Sequence, residues 1–228
     1  MKIINWNCNG AFRKKFHLFS ERNADVLVIQ ECENPKLAGG DYQNWAKNYL
    51  WTGKNKNKGI GVFSFLPTKI KPLDWNDDGL KLFLSCKITS KLNILGVWTQ
   101  KANSFPYIGQ LWKYLQIHKE GLSDNTFICG DFNSNTIWDK RDRWWNHSDV
   151  VRELEEMDYL SVYHTITREE QGKETSPTFY LYRKKERPYH IDYVFIPKVI
   201  FKDKVALEIG QPDKWLGYSD HMPIIFEL

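Results

Sequence analysis

The sequence predicts an α/β sandwich, in which two sheets pack face to face and helices cover their outer surfaces. Nine short apolar segments, rich in β-branched residues and bounded by turn residues, recur along the chain and favour strands. Only three segments place apolar residues at helical spacing, so a few helices are interspersed among many strands. We find no linker-like tract and no internal repeat, and we therefore expect a single domain over residues 1–228.

The predicted elements follow in chain order. The strands are Lys2–Trp6, Ala24–Ile29, Gly59–Phe65, Leu80–Ile88, Leu92–Trp98, Thr126–Cys129, Thr178–Tyr182, Ile191–Ile196 and Pro223–Phe226. Helical spacing occurs at Phe12/Phe16/Phe19, at Ile108/Leu111/Trp112/Leu115 and at Val150/Val151/Leu154/Met157. The third helical segment follows Ser148, which is its predicted N-cap, because a serine hydroxyl can accept a hydrogen bond from an N–H group of the first turn.

The composition excludes two classes of protein. Hydrophobic residues make up 42% and aromatic residues 15% of the chain, which is enough for a large core, and the 26% of charged residues exclude a disordered or membrane-spanning chain. No apolar run approaches the length of a transmembrane helix, and "MKIINWNCNG" lacks the apolar region of a signal peptide. The four cysteines show neither CxxC nor zinc spacing, so we interpret them as reduced structural thiols of a cytoplasmic protein.

The net charge of +4 is too small to indicate a nucleic-acid binder by itself. The distribution of charge is more informative, because the basic residues form clusters and two clusters have aromatic neighbours. The clusters are Arg13-Lys14-Lys15, Lys54/Lys56/Lys58, Lys140/Arg141/Arg143 and Arg183-Lys184-Lys185 with Arg187. Any one of them can be an ordinary solvated surface, but four together favour a polyanionic partner.

Five of the apolar segments begin or end on polar side chains. These are Asn7/Asn9, Gln30-Glu31, Asp131/Asn133, His190/Asp192 within "YHIDYVF", and Asp220-His221. Since side chains alternate along a strand, we expect His190 and Asp192 to share one face. A turn or cap can explain any single case. Asp192 is harder to explain in this way, because a carboxylate between Ile191 and Tyr193 needs a partner.

The residue types fit one kind of chemistry. The oxygen donors of Glu31, Asp220 and Asn7 suit Mg²⁺, with Mn²⁺ as a possible substitute, whereas zinc would require more His or Cys ligands. A histidine backed by an aspartate can be held charged and oriented. A second aspartate with an asparagine can position a water molecule. Together these groups are what the hydrolysis of a phosphate ester requires.

Five motifs in this order closely resemble the endonuclease/exonuclease/phosphatase superfamily: "NWNCNG", "VIQE", "GDFN", "HIDYVF" and "SDHMPI". Each motif is weak alone, but the five span the chain from Asn7 to the last strand. Members include exonuclease III, abasic-site endonucleases, pancreatic deoxyribonuclease, neutral sphingomyelinases and inositol polyphosphate 5-phosphatases. The resemblance implies a four-layered α/β sandwich of two mostly antiparallel sheets, with the active site at one end of both sheets.

The resemblance also implies a role for individual residues. By this resemblance, Glu31 is the principal metal ligand, Asn7 lies at or near the metal, and Asp220 lies beside it. Asp131 orients or deprotonates the attacking water, and Asn133 aligns Asp131 and the phosphate. His221 binds the scissile phosphate, and Asp192 pairs with His221.

Two positions depart from the family pattern. Asn9 stands where abasic endonucleases often have Asp, and Trp98 stands where relatives offer a Tyr or His to the phosphate. An indole N–H cannot accept a proton, so core packing of Trp98 remains an equal alternative.

The branch of the superfamily is indicated by two segments. The Trp-Thr-Asp-Arg block of phosphoinositide phosphatases is absent, and "SPTFYLYRKKERPYHIDYVF" resembles abasic endonucleases, in which aromatics at the positions of Phe179 and Tyr189 line a deoxyribose pocket. Two core aromatics are the alternative interpretation. In "SNTIWDKRDRWWNHS", Arg141, Arg143 and Trp144 are of types that suit contacts with nucleic acid.

The sequence therefore predicts a Mg²⁺-dependent phosphodiesterase, with a DNA nuclease of the exonuclease III or abasic-endonuclease type as the favoured function. We expect nucleic acid, in particular DNA, as its partner, with no membrane and no obligate protein partner. One alternative is a phosphatase or phosphodiesterase acting on a small or lipid-derived phosphate ester. A second is a nucleic-acid-binding module without catalytic activity, which the intact set Glu31, Asp131, Asn133, Asp192 and His221 disfavours.

Overall fold

The strands of the chain assemble into two large sheets, and the helices are short. A computed structural model describes residues 1–19, 24–76, 78–80, 82–102, 104–122, 125–201 and 205–228. Its strands are β1 (Lys2–Asn7), β2 (Val26–Cys32), β3 (Tyr49–Asn55), β4 (Lys58–Ser64), β5 (Lys71–Pro72), β6 (Phe83–Thr89), β7 (Leu92–Trp98), β8 (Thr126–Asp131), β9 (Tyr159–Ser161), β10 (Phe179–Tyr180), β11 (Pro188–Tyr189), β12 (Asp192–Pro197), β13 (Ala206–Ile209) and β14 (Ile224–Glu227). Its helices are α1 (Pro35–Ala38), α2 (Gly40–Trp45), α3 (Ile108–His118), α4 (His147–Glu156), α5 (Val162–Thr167) and α6 (Pro212–Trp215).

The first sheet has the strand order β13-β14-β1-β2-β4-β3, and the second has the order β5-β6-β7-β8-β12-β9. A separate two-stranded ribbon joins β10 and β11. The pairs β1–β2 and β7–β8 are parallel, and the other pairs that the structure describes are antiparallel. The prediction of mostly antiparallel sheets is therefore confirmed.

Three apolar clusters separate four layers. Between the sheets, residues such as Val28 and Val62 of the first sheet pack against Ile94 and Val194 of the second. The outer face of the first sheet is covered by aromatic side chains from its flanking turns and helices, among them Phe12, Tyr42 and Trp215. The outer face of the second is covered by α3 and α4, through Leu111 and Leu154 among others. The predicted α/β sandwich of two sheets flanked by helices is confirmed.

Each of the nine predicted strand segments overlaps an observed strand, and Leu92–Trp98 has the predicted bounds. Lys81, inside the predicted segment Leu80–Ile88, lies outside the described residues. The prediction of a strand over Thr178–Tyr182 was wrong in part: β10 ends at Tyr180 and a 3₁₀ turn follows, in which Tyr182 has a φ of 58° that an extended strand excludes. Strands β3, β5, β9, β11 and β13 were not predicted, because their partly exposed sequences lack a continuous apolar run.

Two helix predictions need correction. The Phe12/Phe16/Phe19 spacing produces two 3₁₀ turns, Phe12–Lys14 and Phe16–Phe19, instead of one α-helix. Ser148 does not cap α4; Asn146 does, and its backbone N–H donates to Asp149 Oδ2 at 2.7 Å. The Ser148 N–H is itself satisfied by Asp139 Oδ2 at 3.1 Å. Residues before the helix thus supply the acceptors that the sequence pattern assigned to Ser148.

The four cysteines are free and buried, as expected of structural thiols. Burial raises the pKa of Cys129 to about 12, so its thiol stays protonated at neutral pH. Among the described residues, no helix has the length and apolar character needed to cross a membrane.

One edge of the sandwich gathers the polar strand ends. In the parallel pair β7–β8, Trp98 lies opposite Asp131, and in the antiparallel pair β8–β12, Asp131 lies opposite Asp192. In the first sheet, Asn7 at the end of β1 lies opposite Gln30, next to Glu31. The ends of β1, β2, β7 and β8 therefore meet the start of β12, and polar groups distant in sequence become neighbours.

Candidate active site

Asn7 joins the two sheets at the polar edge. Its side chain is buried, and its amide Nδ2 donates to Asp131 Oδ2 at 2.9 Å and to Glu31 Oε1 at 3.4 Å. Its Oδ1 accepts the N–H of Asn9 at 3.0 Å, across a turn in which Asn9 has a φ of 51°. An asparagine at the end of a buried strand is thus fixed by three partners and connects two carboxylates from different sheets.

Glu31 is directed into the site by a backbone irregularity. The β2–β4 register shifts between Gln30 and Cys32, and Glu31, the extra residue, has a φ of 63°. A bulge of this kind redirects a side chain, and a positive φ at a residue other than glycine is a strained conformation that clusters at functional sites. Oε2 of Glu31 lies 2.8 Å from Lys58 Nζ, and its side chain retains 16% exposure. The carboxylate is therefore accessible from solvent.

Asp131 is held in one orientation by amide groups. It is the last residue of β8 and is 1% exposed. Oδ1 accepts the backbone N–H of Asn133 at 2.9 Å, and Oδ2 accepts Asn133 Nδ2 at 2.9 Å in addition to the bond from Asn7. Asn133 has a φ of 47° and also donates to the carbonyl of Thr99 at 3.1 Å. The two asparagines orient the carboxylate without neutralising its charge.

His221 and Asp192 form the predicted pair. Nδ1 of His221 lies 2.9 Å from Asp192 Oδ2, and both side chains are buried. The other oxygen, Asp192 Oδ1, has no hydrogen-bond partner among the described residues. Because Nδ1 is engaged, Nε2 points toward Asp131, whose Oδ2 lies 3.9 Å away. That distance is too long for a direct hydrogen bond, but one oxygen atom of a water or phosphate can lie within hydrogen-bond distance of both groups.

Burial and neighbouring charges shift the pKa values of His221 and Asp131. Burial alone would lower the pKa of His221, but the negative charges of Asp192 and Asp131 outweigh it and raise the pKa to about 9. Burial raises the pKa of Asp131 to about 7; Asp192 adds to the rise, while the His221 cation and the Asn7 hydrogen bond oppose it. Near neutral pH, His221 is therefore an imidazolium ion, and Asp131 can exchange a proton.

A hard divalent metal ion requires oxygen ligands, which several side chains of the site offer. Asp131, Asp192 and His221 have ligand atoms within 4.8 Å of one another. A protonated imidazole is a poor ligand, however, and His221 is already paired with Asp192. Glu31 and the Oδ1 of Asn7 are better suited, since both offer oxygen atoms and Glu31 is partly exposed. The donor set thus fits a hard divalent cation on the Glu31 side of the site.

Asp220 lies next to His221 but at the edge of this group. Its backbone carbonyl accepts the N–H of Tyr180 at 2.8 Å, and its Oδ1 lies 3.5 Å from Ser219 Oγ. Its negative charge contributes to the raised pKa of His221. Lys15 organises the same side, because its Nζ donates to the carbonyls of Cys8 and Tyr218 at 2.6 and 2.7 Å. Sequence reasoning had placed Lys15 only in a basic cluster.

Trp98 packs in the core between the sheets and is 6% exposed, which favours the packing interpretation of this residue. Its ring face is in contact with a cation, since Lys58 Nζ lies 5.5 Å from the ring centroid. His190, expected on the same face as Asp192, lies elsewhere: β12 begins only at Asp192, and His190 Nδ1 lies 2.8 Å from the Ser176 carbonyl. The N–H groups of Ile191 and Asp192, at the start of this strand, both donate to Thr178 Oγ1 at 3.0 Å.

The loop before α4 contains both exposed and engaged side chains. Trp144 is 66% exposed, and Arg141 is exposed as well. Arg143 is engaged within the loop: its Nε donates to Asn146 Oδ1 at 2.8 Å, and its guanidinium lies 4.3 Å from the centroid of the Trp145 ring. Of the three substrate contacts predicted here, two are available to a ligand and the third supports the loop.

Three aromatic side chains lead from His221 to the surface. The Phe179 ring lies 4.6 Å from the His221 ring and 6.3 Å from the Tyr189 ring, and the Trp138 ring lies 5.2 Å from that of Tyr189. We call Phe179, Tyr189 and Trp138 the aromatic strip. Trp138 is 42% exposed and was not singled out from the sequence, although it lies in the Arg- and Trp-rich segment that was. Phe179 and Tyr189 are therefore adjacent to the site.

This fold and site define a known class of hydrolase. Residues 4–221 match the Endonuclease/Exonuclease/phosphatase family, and the chain belongs to this family. No curated protein matches the sequence.

Solved structures share the fold at low sequence identity. A 3'-5' exonuclease (NExo) from Neisseria meningitidis superposes with a TM-score of 0.72 at 17% identity. An AP endonuclease from Archaeoglobus fulgidus gives 0.72 at 20%, and a 3' phosphatase from Neisseria bound to a product DNA hairpin gives 0.72 at 16%. Each similarity covers 100% of this chain and 99% of the other. The whole chain therefore adopts the fold of these enzymes.

Proposed function

We propose that this protein is a Mg²⁺-dependent phosphodiesterase that cleaves DNA, of the exonuclease III or abasic-endonuclease type. The observation that carries the proposal is the 3.9 Å gap between His221 Nε2 and Asp131 Oδ2. A phosphate oxygen or an attacking water in this gap meets an acid of raised pKa on one side and a carboxylate on the other. Asp192, Asn7 and Asn133 hold these two groups in place.

Asp131 is proposed to orient the attacking water and to accept its proton. A general base is most effective when its pKa lies near the working pH, and burial raises the pKa of Asp131 to about 7. The hydrogen bonds from Asn7 and Asn133 leave the carboxylate no freedom to turn away. Asn133 is also proposed to contact the phosphate.

His221 is proposed to bind a non-bridging oxygen of the scissile phosphate. Negative charge accumulates on these oxygens in the transition state, so an imidazolium fixed by Asp192 stabilises that state more than the ground state. A preorganised charge in a buried site also avoids the cost of reorienting water.

Glu31 and Asn7 are the proposed metal ligands, with Asp220 beside them, and Mn²⁺ is expected to substitute for Mg²⁺. A bound divalent cation supplies Lewis-acid stabilisation of phosphate charge. Glu31→Gln keeps the shape of the side chain but removes its charge, so we expect cleavage to collapse at low Mg²⁺ and to recover only in part at high Mg²⁺.

DNA is favoured as substrate by the surroundings of the site. The aromatic strip can stack against a base or sugar, and exposed Arg141 and Trp144 can contact phosphate and base. The similar folds include enzymes described as a 3'-5' exonuclease, a 3' phosphatase bound to product DNA and an AP endonuclease, which supports action on DNA ends or abasic sites. We propose that Arg143 serves the substrate indirectly, by holding this loop.

The decisive experiment is a substrate panel with and without Mg²⁺. Duplex, abasic, 3'-phosphorylated and single-stranded DNA, RNA and a small phosphodiester are incubated with wild type and with His221→Ala. We expect wild type to cleave DNA only in the presence of Mg²⁺, and we expect His221→Ala not to cleave it. Cleavage of the small ester alone would favour the alternative of a small-substrate phosphodiesterase. DNA binding without any hydrolysis would contradict the proposal and favour a binding module.

A further inference from the structure

Lys58 crosses the opening of the site. It is the first residue of β4 in the first sheet, and its Nζ lies 2.8 Å from Glu31 Oε2. The same ammonium lies 5.5 Å from the centroid of the Trp98 ring, at the end of β7 in the second sheet. Its side chain is 51% exposed, so it remains accessible to a ligand. One cation thus contacts both halves of the site.

This position distinguishes Lys58 from the other lysines of its cluster. Lys54 lies on the same hairpin and is exposed. The start of β4 is fixed by close packing: a Cβ atom added to Gly59 would lie 2.2 Å from the Thr52 carbonyl oxygen and 2.4 Å from the Trp51 ring. Only glycine fits at this position, and Lys58, the residue before it, lies within reach of Glu31.

We propose that Lys58 is a resident cation of the active site, which neutralises Glu31 before a divalent ion binds and afterwards binds a phosphate oxygen of the substrate. This inference rests on the proposed function. The two oxygens of Glu31 already differ in their partners, since Oε1 faces Asn7 and Oε2 faces Lys58. A cation that enters beside Glu31 must displace the ammonium or tolerate its repulsion, and either event weakens metal binding.

The proposed phosphate contact follows from the hydrogen-bond donors that Lys58 retains when a metal ion occupies Glu31. An ammonium has three donors and no acceptor, and the Trp98 ring can hold it through a cation–π contact without using its donors. Trp98 lies opposite Asp131 in the sheet, so this contact keeps the charge beside the proposed water-orienting group. The indole of Trp98, at this strand end, is a poor hydrogen-bond donor to phosphate. Lys58 would thus provide the hydrogen bond to phosphate instead.

The competing interpretation is an ordinary surface ion pair. Exposed ion pairs contribute little to stability. The two interpretations predict different changes in metal affinity when Lys58 is removed. If Lys58 competes with the metal, its loss strengthens metal binding. If Lys58 only supports Glu31, its loss leaves metal binding equal or weaker.

The test is calorimetric titration of the full chain with Mg²⁺ in the absence of substrate. We expect Lys58→Met to bind Mg²⁺ about threefold to tenfold more tightly than wild type. The matched control Lys54→Met removes the same charge from the same hairpin and should leave the affinity unchanged. Lys58→Arg, which keeps the charge, should stay near wild type. Equal or weaker Mg²⁺ binding by Lys58→Met would overturn the proposal.

A second titration tests the phosphate role, with inorganic phosphate as the probe at saturating Mg²⁺. Lys58→Met should bind phosphate about threefold to tenfold more weakly, with Lys54→Met unchanged. Unaltered phosphate binding would refute this half of the proposal. Thermal unfolding identifies any variant that fails to fold, and Lys58→Gln then replaces Lys58→Met. If wild type cleaves no DNA, the proposed function fails, while the Mg²⁺ titrations still decide the role of Lys58.

Discussion

The two sheets contribute unlike halves to one site. The second sheet provides Asp131 and Asp192, which are 1% exposed; Asp192 is hydrogen-bonded to His221, and Asp131 lies 3.9 Å from the same histidine. The first sheet provides Glu31, which is partly exposed, carries a positive φ and pairs with a solvent-accessible lysine. The buried half is preorganised to hold charge in fixed positions, and the open half is accessible to solvent. The proposed hydrolysis, which needs both a fixed acid and a replaceable metal, accounts for this difference.

The largest effect should come from breaking the buried half. His221→Ala should lower kcat by about 10³-fold, because it removes a charge that acts in the transition state, and Asp192→Asn should lower it by about 10²-fold. The double variant should lose little more than His221→Ala, since the two residues act as one unit. Single-turnover rates at saturating DNA measure the cycle, and DNA affinity serves as the control. Additive losses would mean that Asp192 supports the fold and not the histidine.

The pH dependence should follow the buried half alone. In the proposed mechanism, Asp131 must be deprotonated and His221 protonated, and their pKa values are about 7 and about 9. As the pH increases, we expect kcat/KM to rise about tenfold per pH unit below pH 7, to level off between pH 7 and pH 9, and to fall above pH 9. The apparent values belong to the coupled pair. A profile that rises steadily beyond pH 9 would contradict the role of the imidazolium.

A smaller effect concerns stability. Because the folded pKa of Asp131 is raised from 3.8 to about 7, the folded state binds its proton more tightly than the unfolded state does, and stability declines as the pH rises through about 7. In the metal-free protein, Asp131→Asn should therefore increase the free energy of unfolding by about 1–3 kcal/mol at pH 8 and by much less at pH 4.

Denaturant unfolding at the two pH values measures this difference. Asp41→Asn, an exposed change of equal charge in the first sheet's flanking helix, is the control and should have little effect at either pH. Destabilisation by Asp131→Asn at pH 8 would show that hydrogen bonds to the charged carboxylate outweigh its burial.

The smallest effect should separate two neighbouring arginines of the loop. Arg141→Ala should weaken DNA binding a few-fold and reduce the log–log salt slope by about 0.9, as expected for one phosphate contact. Arg143→Ala should instead act through the loop, because its side chain is bonded to Asn146 at the start of α4. Salt titrations of binding and thermal unfolding of both variants distinguish these roles. Equal salt slopes for both variants and wild type would identify Arg141 as a solvated surface charge.

Much of the buried half was predictable from local sequence. Asp131, Asp192 and His221 stand at strand ends where apolar pattern and polar residue types conflict, and such conflicts mark functional positions. The core packing of Trp98 remained open in the sequence, because an indole at a strand end suits either role. Its burial, which depends on the packing of both sheets, was needed to favour one.

The open half and the caps were less predictable for physical reasons. The bulge at Glu31 and the contact between Lys58 and Trp98 depend on tertiary packing between sheets, which no local pattern encodes. Ser148 satisfied the rule for an N-cap, but Asp149 and Asp139 accept the N–H groups of Asn146 and Ser148 instead, three and nine residues away. Local propensity competed there with a loop structure that was not visible in sequence.

The most direct test of the account is the protonation state of His221. A ¹⁵N NMR titration of the imidazole in the metal-free protein should give a pKa of about 9. In Asp192→Asn the pKa should fall markedly, because burial then acts with less opposition. The control variant Asp41→Asn should titrate as wild type. A wild-type pKa at or below the ordinary value of about 6.5 would mean that the imidazole is neutral at physiological pH, and the proposed role of His221 would be wrong.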